Sequence, residues 1–151
     1  MKNRPITLKQ ELEKIILSCD VCYIGMVDQN NEPYVLPFNF GYEGDTVYLH
    51  SARQGKKIDI LQNNANVCIA FSTEHELSYV NEEVACSWGM KYKSVLVYGK
   101  VEFINDYDEK VKALEILMKN YSKLDFKFNK PAVDDVQPWE VKIEKIEGRA
   151  Y

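Results

Sequence analysis

A mainly β (α+β) fold, an antiparallel barrel or sandwich with helices packed on its periphery, is what the sequence predicts. Three observations carry this. Segments with a two-residue apolar period outnumber helical ones about two to one, as judged from periodicity. They follow one another as hairpins joined by short turns rather than in regular β-α-β alternation. And neither a GxGxxG nor a GxxxxGK[ST] motif is present, so the usual devices of parallel nucleotide-binding sheets are missing.

The chain opens with Thr7 and Gln10 in a capping-box pattern, followed by Leu8, Leu12, Ile15 and Ile16 at helical spacing, which predicts a helix over 7–18. From Val21 the period changes to two. Residues 21–27 read as a strand buried on both faces and 28–31 as a turn; 33–42 is a second strand, 43–45 a hairpin turn and 46–51 a third strand. A helix is expected from near Gln54 to Asn63, with Ile58 and Leu61 inward. Strand returns over 66–72, rich in β-formers, and the polar, acidic stretch 73–87 reads as loop. Residues 92–104 form a long strand with Val95, Val97, Gly99, Val101 and Phe103 on one face. Asp106 and Glu109 then cap a third helix carrying Val111, Leu114, Leu117, Met118 and Tyr121. The stretch 122–137 reads as irregular, and 139–146 as a final strand. Without repeats or a break in composition, the 151 residues are expected to form a single domain.

Composition narrows the function. Nineteen basic residues against twenty-three acidic ones give a net charge of −4, which argues against a dedicated nucleic-acid binder. No apolar run approaches the roughly 20 residues that a membrane span requires. A cytoplasmic protein is expected, and its four cysteines should then be thiols. Cys19 and Cys22 form a CxxC, but at the end of a helix rather than its start, and no second CxxC accompanies them. Buried free cysteine is the favoured reading over zinc or disulfide chemistry, and no metal site is expected. His75, in an acidic stretch, is expected to be solvated.

The informative segment runs from His50 to Lys57. Here Arg53, Lys56 and Lys57 crowd the first turn of a predicted helix, where the dipole favours acidic residues. A bound anion would offset that repulsion, with free N–H groups and the Ser51 hydroxyl as further donors and Gly55 allowing close approach; this reads as a phosphate site, the alternative being three solvated side chains.

The neighbourhood carries a resemblance. Pro37-Phe38-Asn39-Phe40-Gly41-Tyr42, followed by His50-Ser51-Ala52 and Gly55-Lys56-Lys57, with Cys86-Ser87-Trp88-Gly89-Met90 through Val95 and Tyr98-Gly99-Lys100-Val101, is similar to the pyridoxamine 5′-phosphate oxidase-like flavin-binding split-barrel superfamily. More narrowly it resembles the nitroimidazole-resistance branch, over roughly residues 5 to 121. The resemblance implies a six-stranded Greek-key split barrel that forms a homodimer, with FMN at the subunit interface; FAD would be served by the same phosphate cradle. It implies that His50, Ser51, Ala52, Lys56 and Lys57 surround the phosphate, and that Leu36, Pro37, Phe38 and Asn39 line the isoalloxazine. Trp88, Tyr92, Ser94 and Val95 would complete the pocket, from the same or the partner subunit. His50 is the candidate catalytic residue, placed to orient or protonate a substrate, or else a structural histidine packed against Tyr48. The activity implied is transfer of electrons from NAD(P)H to a small acceptor, with a non-catalytic flavin-binding or redox-sensing module as the alternative. Pyridoxamine phosphate oxidation itself is less favoured, because 145–149 lacks that enzyme's basic C-terminal motif.

Overall fold

The computed structural model describes residues 3–151. Along the chain come β1 (Arg4–Ile6), α1 (Lys9–Leu17), β2 (Cys22–Val27), β3 (Pro33–Phe38), β4 (Gly41–Glu43), β5 (Thr46–Ala52), α2 (Lys56–Asn63), β6 (Asn66–Tyr79), β7 (Trp88–Phe103), α3 (Tyr107–Lys119), α4 (Lys130–Asp135), β8 (Val136–Lys142) and β9 (Lys145–Ala150). Every strand pair is antiparallel. The sheet runs β3-β2-β6-β7-β8-β5-β4, with β9 beside β7 and β1 beside β9. The mainly β, antiparallel expectation holds. The strand count does not: the described residues form nine strands rather than six, in a sheet that is open, with β3 and β4 at its ends.

Alternation along the strands builds the core. Ile24 and Met26 on β2, Val47 and Leu49 on β5, Ile69 and Phe71 on β6, Val95 and Val97 on β7, and Trp139 and Val141 on β8 are all 2% exposed or less. Helix α1 covers one side with Leu12, Ile15 and Ile16, although Thr7 does not cap it; the helix begins at Lys9 with Leu8 in the N-cap position and no side-chain cap bond. On α3 the Asp106 carboxylate accepts from the Glu109 N–H at 3.1 Å, as the sequence predicts. Its inward face is rotated, however, to Lys110, Ala113, Ile116 and Leu117. That face packs on β4 and β5, and at its start the buried Lys110 ammonium donates to the Val136 carbonyl at 2.9 Å and, in α4 (absent from the sequence reading), to the Val133 carbonyl at 3.5 Å, tying α3 to the start of β8.

Two further departures concern strand extent. Residues 73–79 continue β6 instead of forming a loop, past a bulge between Thr73 and Glu76 where Glu74 has φ 55°. With the first part of β7 they make a two-stranded ribbon, pinned by Lys93–Glu74 and Lys91–Glu76 ion pairs and by Tyr79 stacked on Trp88 at 4.4 Å. The ribbon has no buried face and hence no alternation to read. The final strand is really two, β8 and β9, laid end to end along one edge of β7. At the bend the Ile143 N–H turns to the Asp45 carbonyl (3.0 Å), while the Glu144 N–H reaches the Tyr98 carbonyl (2.9 Å). Gly99 lies beneath, so close to the Lys142 carbonyl that a side chain would collide with it.

Candidate functional site

Strand β3 is an edge. Among the described residues its only strand partner is β2, and its second row of backbone groups faces no neighbouring strand. Pro37, which has no N–H, suits that position. Tyr34, Leu36 and Phe38 share the half-buried face of β3, whereas Val35 and Pro37 lie on the exposed one. Two contacts set this edge against the β5–α2 connection. The Phe38 ring meets Trp139 of β8 edge-on at 5.3 Å, and the Lys56 ammonium lies 4.6 Å from the centre of the Tyr34 ring. The Tyr34 end of this edge therefore stands beside the entry to α2, and the Phe38 end against β8.

At that entry the helix starts at Lys56 rather than near Gln54, so Lys56 and Lys57 lie in its first turn and Arg53 precedes its N-cap. Gly55 occupies the N-cap of α2 at φ 122°, ψ 172°, a conformation other residues rarely adopt, and no side chain caps the helix. The Ile58 N–H donates to the Gly55 carbonyl at 2.9 Å, which leaves the Lys56 and Lys57 N–H groups open to a ligand. None of the ion pairs among the described residues involves Arg53, Lys56 or Lys57. Lys57 is half-buried and Lys56 exposed. Next to them, Ala52, Arg53, Gln54 and Asp135 line an open recess of about 570 Å³. A larger number of charges lines another recess, of about 350 Å³, beside α1, but there Lys9 pairs with Asp45 at 2.9 Å and Tyr42 donates to Glu13 at 3.1 Å. Those groups satisfy one another. The cations at α2 do not, and they suit a phosphate.

The remaining predicted residues divide. Ser51 is buried on the core face of β5, its hydroxyl donating to the Ala52 carbonyl at 2.9 Å. His50 lies on the opposite face, with Nδ1 buried and without a hydrogen-bond partner. Burial holds its pKa below the ordinary value of 6.5, so the ring is neutral at pH 7 and adds no charge to the three cations. Because the unfolded chain takes up that proton first, stability is full above pH 6.5 and falls as pH drops towards the folded-state pKa. Urea midpoints measured at pH 7.5 and pH 5 should differ less for His50→Asn than for the unaltered chain. Asn39 is exposed, and its amide donates to the Asp20 carbonyl at 3.5 Å.

Trp88, Tyr92 and Ser94 sit elsewhere. Along β5 and β8 the Ala52 end lies past Phe103 of β7, whereas across β3, β2 and β6 the edge residue Phe38 stands in the row of Val95. Trp88 begins β7, within the ribbon and before that row. There its indole donates to the Glu82 carbonyl at 3.0 Å, and Tyr92 stacks on Tyr151. Val95 points into the core and is fully buried. Among the described residues none of these four makes a hydrogen bond or ring contact with Arg53, Lys56 or Lys57.

A model of the pyridoxamine 5′-phosphate oxidase family matches residues 9–150. The chain belongs to this family. Among solved structures it is similar to a candidate 5-nitroimidazole antibiotic resistance protein from Bacteroides thetaiotaomicron, at 46% identity and TM-score 0.90, covering 99% of this chain and 87% of that one. An FAD-binding protein from Mesorhizobium loti matches at 22% identity and TM-score 0.72, covering 100% and 99%. A flavocytochrome from Azotobacter vinelandii matches at 19% identity and TM-score 0.81, covering 99% and 69%; these two speak for the fold alone. No curated protein matches.

The open edge of β3 and the uncapped start of α2 lie together. Other parts were not legible in the sequence. Tyr121 donates its hydroxyl to the Asp20 carbonyl (2.8 Å) and accepts from the Phe40 N–H (3.0 Å), while the Asn120 amide donates to the Phe40 carbonyl (3.2 Å). Both brace the link from β3 to β4 from a point eighty residues downstream. The CxxC thiols are buried: Cys22 is pushed up to about 12, and the Cys19 thiol donates to the Ile15 carbonyl. Among the described residues no group of His, Cys, Asp and Glu is arranged to hold a metal, and no helix is long and apolar enough to cross a membrane.

Proposed function

We propose that this chain is a flavin-binding oxidoreductase that passes electrons from NAD(P)H to a small acceptor, with nitroaromatic compounds as a substrate class to test. The observation that carries the reading is the pairing of an uncapped α2, flanked by three cations without carboxylate partners, with an apolar strand edge at Leu36, Pro37 and Phe38. Flavin cofactors need that combination: a cationic grip on phosphate and a flat apolar slot for the ring. Lys56, Lys57 and Arg53 would hold the phosphate, with the open N–H groups of the first turn. The edge of β3 would orient the ring. Bound flavin supplies the two-electron chemistry, taking up reducing equivalents from the nicotinamide and returning them to the acceptor. FMN satisfies the grip, and FAD, named as the ligand of the Mesorhizobium loti protein, satisfies it equally.

The pocket is completed in a homodimer, in this reading. A second copy would supply Trp88, Tyr92 and Ser94 to the α2 entry. The apolar surface for such a contact is present: Val35 is 59% exposed on β3, and on the ribbon Leu77 is 62% and Val80 95% exposed. The decisive measurement is the absorbance spectrum of freshly purified protein, with chromatography of the released chromophore. Yellow protein that oxidises NADH or NADPH when a nitroaromatic is supplied is the expected result. Colourless protein that stays so after incubation with FMN and FAD removes the reading. Reduction of flavin without transfer would leave a redox sensor. Light scattering showing a flavin-replete monomer would remove the homodimer.

A further inference from the structure

The contact between Lys56 and Tyr34 has a chemical meaning beyond bringing two elements together. Lysines that are fixed on this surface are mostly fixed by carboxylates: Lys9 by Asp45, Lys93 by Glu74, Lys130 by Asp134. A carboxylate positions an ammonium but also cancels its charge, and it would compete with an incoming phosphate. An aromatic face does the first without the second, because the ring carries a quadrupole and no net charge. Lys56 is held in this second way, 4.6 Å from the centre of the Tyr34 ring and outside every ion pair of the described residues.

The ring is itself well placed to do this. Tyr34 is half-buried and packed against the core, on the same face of β3 as Leu36 and Phe38. Gly55, at φ 122°, is the N-cap of α2, and Lys56 is the first residue of the helix. We infer that Tyr34 is a positioning residue that holds the Lys56 ammonium, undiminished in charge, at the phosphate grip, and so makes the site select phosphorylated flavins over riboflavin. This rests on the flavin reading above and adds a specificity determinant to it.

The test compares FMN and riboflavin binding, by fluorescence titration of the full chain freed of flavin by dialysis. Tyr34→Leu keeps an apolar side chain and loses the ring face; Tyr34→Phe keeps the face and loses only the hydroxyl. For Tyr34→Leu the expected result is FMN affinity lower by roughly two- to fivefold, the range for an exposed cation–π contact, with riboflavin affinity unchanged. Tyr34→Phe should bind both as the unaltered chain does, and Tyr34→Leu should add nothing once Lys56→Met is present. Equal weakening of FMN and riboflavin by Tyr34→Leu would make Tyr34 a packing residue only and overturn the inference. So would a loss in Tyr34→Phe as large as in Tyr34→Leu. If the unaltered chain binds neither flavin, the cofactor reading falls and this inference with it, whereas the first two outcomes remove Tyr34's role alone.

Discussion

Replacing Lys56 and Lys57 together by alanine should cost the chain its flavin while leaving it folded. Each lysine is expected to give the phosphate one charge-assisted hydrogen bond, worth about 1.5–3 kcal/mol where water is partly excluded. Lys56 is exposed and Lys57 half-buried, so the lower end applies to both. A total near 3 kcal/mol corresponds to about 100-fold in affinity, read as flavin retained on purification and as the dissociation constant on titration. Folding should respond in the opposite direction. Both cations sit in the first turn of α2, where the helix dipole disfavours them, so the flavin-free double variant should melt no lower than the flavin-free unaltered chain. Unchanged flavin content would refute the phosphate assignment; a large drop in melting temperature would mean that the lysines support the fold instead.

A second substitution, far smaller chemically, should do more damage to the fold. Gly41 begins β4, and a methyl group there would lie 2.6 Å from the backbone N and Cα of Leu117 and 2.8 Å from the carbonyl carbon of Ile116. Backbone meets backbone here, so no rotamer change can relieve the clash, and α3 must move. About 3 kcal/mol is expected for Gly41→Ala, the upper part of the range for overpacking. The displacement would pass to Asn120 and Tyr121, which follow α3 and hold Phe40 in the link leading back to β3. Urea unfolding supplies the measurement and Gly25→Ala the control: at Gly25 the nearest atom beyond the chain neighbours is the Cys68 carbonyl oxygen at 3.5 Å, an ordinary contact. Similar midpoints for the two variants would show that β4 and α3 are not pressed together as described.

The contrast between these residues explains how far the sequence could be read. Strands with one buried face announce themselves, and Val95, Val97 and Val101 on β7 lie inward as their spacing says. The α2 entry was legible because three cations where acids belong contradict a local rule, and such contradictions mark sites. The ribbon over 73–91 escaped, since Glu74, His75 and Glu76 face water on a pair of strands with nothing packed on either side. The rotated face of α3 escaped as well. A lysine reads as solvated, and only the carbonyls of Val133 and Val136, distant in sequence, make burial of Lys110 favourable. Tyr34 gave no signal beyond strand propensity, because its partner is Lys56, a contact that no periodicity encodes.

The bend at Ile143–Glu144 reaches further than its two residues. Above it, the run along β7 is hydrogen-bonded to β5; below it, to β1 through β9. Strands that never touch thereby share a single spine, and their amide protons should exchange with solvent only when the whole unit opens, while those of the ribbon exchange through local fraying. The two ends of the molecule would then be lost in one cooperative event, and the α2 entry, which is attached to β5, would vanish with them rather than loosening first.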